Sequence, residues 1–295
     1  MTFGEKLKES RKAAGFSQEE LAEKLNVSRQ AITKWETDAG LPDISNIMTI
    51  SKLFNIPVDD LISEEKTAIP LKSRLYESVT EYDIDGQKNF DIKLGGAKEI
   101  TISGCDSENG EKIKIILSSD SLSTIQQDFK TKIDDIKGRI DINVNRAKNV
   151  AETTVKDALF IEVILPNKYI KNAELSSLCK KLITTNLTCP NLEFEGRTDE
   201  VVVDNFNGTL EINCNLDMNI QVNSFKGNIE INQLNATSQL FVKASQDFKK
   251  VCKGVGTAIL FEENETMVED FSNPDSENKI ELNGIKSELK ITKKH

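Results

Sequence analysis

The chain has 295 residues, 38% hydrophobic and 29% charged, which suits two soluble domains with cores of their own. Its formal net charge of −10 excludes a surface that is basic throughout, so any affinity for a polyanion must come from a small local patch, and non-specific binding is expected to be weak. No apolar run approaches the roughly 20 residues that span a bilayer, and the opening Met-Thr-Phe-Gly-Glu-Lys lacks a signal peptide's apolar core, so a cytoplasmic protein with no membrane contact is expected.

Five helices are predicted within residues 1–66. Phe3 and Leu7 stand four apart on the first, which stops at Gly15, a residue suited to a left-handed C-cap. Ser17 with Glu20 three positions on forms a capping box for the second helix, hydroxyl and carboxylate each satisfying an open backbone donor. Leu21, Ala22 and Leu25 make its apolar face, and Ala22 is small enough for close helix approach. Asn26 falls at the turn, where the chain wants positive φ and Asn tolerates it. Ser28 caps the third helix, on which Ile32 and Trp35 point inward while Arg29, Gln30, Thr33 and Lys34 are left facing out. A fourth helix follows Pro42-Asp43, with Ile44, Ile47, Ile50, Leu53 and Phe54 as its buried stripe, and residues 57–62 supply a short fifth.

Two short helices joined by a tight turn, the second with hydrogen-bonding side chains on its outer face, suit entry into the major groove of DNA. Gln18, Ala22, Asn26, Ile32 and Trp35 stand at the spacing used by the lambda-repressor/Cro-like, or XRE, family of helix-turn-helix regulators, which residues 3–63 resemble; residues 55–62 resemble its closing helix. The resemblance implies a small five-helix Cro/repressor-like DNA-binding domain that acts as a homodimer on double-stranded DNA. It also implies that Arg29, Gln30 and Lys34 face base edges, with Thr33 on the same helix face, and that Gln18 and Ser28 hold phosphates. Arg11 and Glu36 would form a structural ion pair between the first and third helices. Side-chain chemistry agrees, because Arg binds guanine O6/N7 bidentately and Gln does the same with adenine N6/N7. The loop Thr37-Asp38-Ala39-Gly40 departs from the family, whose members often carry a Gly and a basic residue there, and Asp38 is expected to repel the DNA backbone.

Residues 67–88 are charged and irregular, with Pro70 and Asp85-Gly86, and are expected to be a linker with a short helix near 72–79. From 89 to 295 the apolar period changes from 3.6 to 2, which predicts an all-β domain. Apolar doublets recur at Leu192/Phe194, Val201/Val203, Leu210/Ile212, Ile220/Val222, Ile229/Ile231 and Leu240/Val242, in steps of 9 to 11 residues. Asp204–Asn213 is repeated by Asn223–Asn232, shifted by 19 residues. Each doublet reads as a short strand between Asn/Gly/Asp turns, and the repeat suggests a β-solenoid with two strands per coil of about 19 residues. That arrangement would stack Phe206 over Phe225 and Asn213 over Asn232. An antiparallel sandwich is the structural rival. This part resembles bacterial adhesin-like β-repeat domains.

No catalytic constellation is visible. His295 is the chain's one histidine, and Cys105, Cys179, Cys189, Cys214 and Cys252 form no C-x-x-C pair, so no disulfide framework, metal site, cofactor or enzymatic activity is expected. The expected function is sequence-specific transcriptional regulation, with residues 28–36 reading the major groove and the β domain serving oligomerisation or the sensing of a partner or signal. The alternative is a non-enzymatic scaffold whose β-solenoid is the working surface, with a protein partner for the β domain.

Overall fold

The computed structural model describes residues 2–54, 56, 58, 74–106, 112–263 and 266–294. The chain divides into two compact units, residues 1–72 and 73–295.

The first unit contains α1 (Phe3–Ala13), α2 (Gln18–Leu25), α3 (Arg29–Glu36) and α4 (Ile44–Phe54). The fifth helix expected over 57–62 lies outside the described residues, Val58 apart. Thr2 and Glu5 make a capping box for α1, and Ser17 and Glu20 make the one foreseen for α2. Asn26 closes α2 in the left-handed conformation (φ 54°, ψ 44°), and the Ser28 hydroxyl accepts the Ala31 amide at the start of α3. Phe3, Leu7, Leu21, Ala22, Leu25, Ile32, Trp35 and Ile50 form the core. A Cβ on Gly4 would fall 2.4 Å from the Trp35 carbonyl oxygen, so only glycine lets α1 cross α3 this closely. The stripe expected on α4 is narrower in the structure. Ile50 is fully buried and Ile47 and Phe54 pack on the core, but Ile44 is 78% exposed and Leu53 is also outside. At about 100° per residue, Ile47, Ile50 and Phe54 share one face of α4, and Ile44 and Leu53 fall roughly 90° to either side of it.

The second unit is a continuous ladder of 18 strands among the described residues. Its first half holds β1 (Tyr76–Asp83), β2 (Lys88–Cys105), β3 (Lys112–Ser119), β4 (Phe129–Ile136), β5 (Arg139–Arg146), β6 (Phe160–Pro166) and β7 (Ile170–Thr185), with short helices α5 (Ile125–Asp128) and α6 (Glu152–Ala158) between them. Its second half holds β8 (Thr188–Arg197), β9 (Glu200–Asp204), β10 (Phe206–Asn213), β11 (Asn219–Val222), β12 (Phe225–Leu234), β13 (Thr237–Lys243), β14 (Lys249–Val255), β15 (Ala258–Glu263), β16 (Thr266–Met267), β17 (Lys279–Ile285) and β18 (Glu288–Lys294).

The long strands β2 and β7 lie side by side in parallel, and the ladder forks around them into two rows. One row runs through the first part of β7 to β8, β10, β12 and β17; the other runs through its second part to β9, β11, β13 and β18. All these pairs are parallel, whereas antiparallel pairing is confined to β1–β3, β3–β6, β4–β5 and β15–β16. All six apolar doublets point into a single core and are buried. The register sets Phe206 opposite Phe225 and Asn213 opposite Asn232. Where β10 passes β8, a Cβ on Gly208 would come within 1.8 Å of the Cys189 carbonyl oxygen, and Gly208 itself has φ +133°; any side chain there is excluded.

The linker expected over 67–88, with a helix near 72–79, is corrected from Tyr76 onward by β1, while residues 67–73 lie outside the described residues. The half-buried face of β1 carries Tyr76, Ser78, Thr80 and Tyr82, an alternation of aromatic and hydroxyl residues that reads as polar when only aliphatic positions are counted. The last strands do not stack in chain order. β17 stands between β12 and β14, and β18 likewise stands between β13 and β15. The register places Lys250 of β14 level with the inward Ile280 of β17. Taken inside the stack, β14 would bury a lysine, so it closes the end instead.

β17 also carries the polar rows forward. Asn232 donates to Asn213 (2.6 Å) and Glu211 (2.8 Å) and accepts from Asn283 (2.9 Å). Lys279 reaches both Glu230 and Glu281 at 2.8 Å. Asn232→Ala is expected to lower the stability of this unit by about 1–2 kcal/mol, since it leaves three half-buried partners without their bond; a loss below a few tenths in urea melts would show that the ladder contributes nothing.

Candidate nucleic-acid interface

The outward face of α3 presents Arg29, Gln30, Thr33 and Lys34, all exposed, with Ser28 exposed at its N-terminus. Ile32 and Trp35 on the opposite face fix the helix to the core. The resulting surface holds two cations and two neutral hydrogen-bonding side chains on successive turns, a set able to meet base edges and phosphates.

Behind that face lies a connected polar network. Arg11 of α1 grips Glu36 of α3 with Nε on Oε1 at 2.6 Å and Nη2 on Oε2 at 3.0 Å, and its Nη1 donates to the Phe16 carbonyl at 2.8 Å. Gln18 Nε2 donates to Glu36 Oε2 at 2.9 Å, and the Thr33 hydroxyl donates to Gln18 Oε1 at 3.3 Å. Gln18 therefore sits half-buried between α2 and α3, its amide turned by these two partners. Burial pushes the Glu36 carboxyl upward, but the hydrogen bonds from Arg11 and Gln18 and the Arg11 charge outweigh it and hold the group below the usual carboxylate range. Arg11 in turn is held above its ordinary value, chiefly by its bond to Glu36.

Two contacts have no counterpart in the sequence reading. Asp38, expected to oppose the DNA backbone, is engaged at home: it accepts the Thr2 hydroxyl at 2.5 Å and the Gly4 amide at 2.9 Å. Its carboxylate thus sits on the open amides of the α1 N-terminus, where negative charge is favoured. No local spacing predicts a bond between residues 34 to 36 positions apart. Glu19, at the start of α2, lies 3.8 Å from Arg29 in a solvent-exposed ion pair. The α1 capping box, by contrast, was available from the Thr-x-x-Glu spacing of residues 2–5.

Among the described residues no group of three or more His, Cys, Asp and Glu is placed to hold a metal ion, and no helix is long and apolar enough to cross a membrane. Burial pushes the Cys179 and Cys189 thiols up to about 12, so both stay protonated and unreactive at neutral pH.

A helix-turn-helix family profile matches residues 7–61, spanning the α2–turn–α3 geometry just described. The HTH-type transcriptional regulator ImmR of Bacillus subtilis is 31% identical over 94 residues, an alignment covering 32% of this chain and 74% of that protein. The HTH-type transcriptional activator BcrR of Enterococcus faecalis is 46% identical over 66 residues, 22% of this chain and 32% of that protein. The chain belongs to the XRE-type helix-turn-helix family. It spans only about a third of BcrR. The β unit is similar to two solved structures described as candidate cell-adhesion proteins. One, from Clostridium sporogenes, matches at TM-score 0.40 and 14% identity, covering 74% of this chain and 99% of that one. The other, from Bacteroides fragilis, matches at TM-score 0.37 and 14% identity, covering 74% and 97%.

Proposed function

We propose that this protein is a cytoplasmic, sequence-specific DNA-binding transcriptional regulator whose α3 reads the major groove. Arg29, Gln30 and Lys34 face base edges with Thr33 beside them, while Gln18 and Ser28 hold phosphates. The observation that carries this reading is the polar face of α3, exposed outward and held from behind by the Arg11–Glu36 pair, in a domain of the same family as proteins named as transcriptional regulators.

In this reading residues 1–66 are the DNA-binding domain, and the β domain begins at Tyr76 rather than at residue 89. The β domain is a solenoid with two strands per coil; the 19-residue offsets between β9 and β11 and between β10 and β12 support that geometry. It serves oligomerisation or responds to a partner or signal, without enzymatic activity. A two-fold homodimer would set two α3 helices in adjacent major grooves about 34 Å apart.

Selection of genomic DNA fragments by the full-length protein at near-physiological salt tests the proposal, with an Arg29→Ala/Gln30→Ala double variant beside it. The expected result is a palindromic motif that the variant loses, with Gln30→Ala alone relaxing one position by about 1–3 kcal/mol. Recovery of no motif by folded protein would overturn the regulator reading and favour a scaffold that works through its β domain.

A further inference from the structure

Glu19 and Arg29 stand at facing helix starts, Glu19 in the first turn of α2 and Arg29 as the first residue of α3. Arg29 Nη1 is 3.8 Å from Glu19 Oε2, with 64% and 71% of the two side chains exposed. The α2 cap does not need Glu19: the Ser17 amide donates to Glu20 and the Glu20 amide to the Ser17 hydroxyl. Nor does the buried network need it, since Gln18 donates to Glu36 and Thr33 donates to Gln18. Glu19 thus places a carboxylate on the face that would meet a polyanion, with its charge directed at one of the two cations there.

We infer that Glu19 is a specificity-determining residue, an inference that rests on the DNA-binding reading above. Its carboxylate holds the Arg29 guanidinium in a weak exposed pair. A guanine edge, offering O6 and N7 together, is a better bidentate acceptor and takes Arg29 away from it. At a base pair without that acceptor pair Arg29 stays with Glu19, so it contributes little to phosphate neutralisation. Glu19 therefore penalises binding to wrong sequences more than binding to the right one, in keeping with a domain that carries more acidic than basic residues.

The test compares wild type, Glu19→Gln, Arg29→Ala and the double variant in the full chain. Each is titrated over a salt series with a duplex carrying the selected motif and with a random-sequence duplex of equal length. Glu19→Gln is expected to tighten binding to the random duplex by about three- to fivefold relative to the motif and to steepen its salt dependence by about one counterion. Both effects should vanish in the Arg29→Ala background. Equal tightening on both duplexes, whether or not Arg29 is present, would reduce Glu19 to a generic charge and overturn the inference. A wild type that does not distinguish the two duplexes would instead overturn the DNA-reading proposal itself. An unchanged Trp35 fluorescence melt confirms that each variant is folded.

Discussion

Arg11→Ala is expected to destabilise the helical unit by about 3–5 kcal/mol, because it strands a buried carboxylate without its partner. Glu36 keeps only 2% of its side chain exposed and Arg11 only 11%, and the pair ties α1 to α3 across the core. Domains have in total about 5–15 kcal/mol, so a unit of four described helices would be left close to its unfolding midpoint at room temperature. Trp35 is the chain's one tryptophan and is 8% exposed in this core, so its fluorescence reports this unit alone. Acid should reproduce the effect in the wild type. Because the folded Glu36 carboxyl lies below its unfolded value of about 4.3, its stabilisation is complete above that pH and fades as pH falls through the lower folded value. A Trp35 melt that shifts by less than about 1 kcal/mol in Arg11→Ala would show that the pair only orients α3. Replacing both partners with apolar residues of similar volume should recover most of the loss.

Phe194→Ala is expected to remove about 3–5 kcal/mol from the β unit. Phe194 is fully buried, and the register sets it level with Leu175 on one side and Ile212 on the other, with Ile231 and Leu282 continuing the same inward layer. Parallel strands hydrogen-bonded on both sides cannot slide inward to fill a void, so the cavity term should be near its maximum. Urea unfolding followed by far-UV circular dichroism would show the loss, while the Trp35 transition should not move. A change under 1 kcal/mol would mean that the layer collapses around the gap.

What could be read from the chain beforehand follows a physical boundary. The helical domain was legible because caps and turns are local: Ser17 with Glu20, Asn26 and Ser28 each do their work within four residues. The doublets were legible for the same reason, since an inward pair such as Ile229/Ile231 needs only its own strand's alternation. Contacts closing over long separations left no such mark. Asp38 meets Thr2 and Gly4 only because α1 crosses the end of α3. β1 carries no aliphatic alternation, because its inward face is built from Tyr, Ser and Thr. The exposure of Ile44 was hidden as well, because an apolar stripe tells which face turns inward and not how much core is waiting for it. The order of the last strands depends on which segment tolerates burial. Ile280 and Leu282 do, and Lys250 does not.

That order has a consequence in time. During synthesis β14 and β15 emerge before the residues they rest on, since β17 and β18 lie between them and the strands that precede them in sequence. From β8 to β13 each strand finds a parallel partner already in place, but the next pair has no parallel partner until residues 279–294 arrive. For that interval the edges of β12 and β13 stand open, and open edges invite wrong partners. Contacts spanning some 50 residues must then form last, a slow kind of closure. The lysines of β14 (Lys249, Lys250 and Lys253) suit that wait, because charge on an unpaired strand discourages it from seizing the nearest edge.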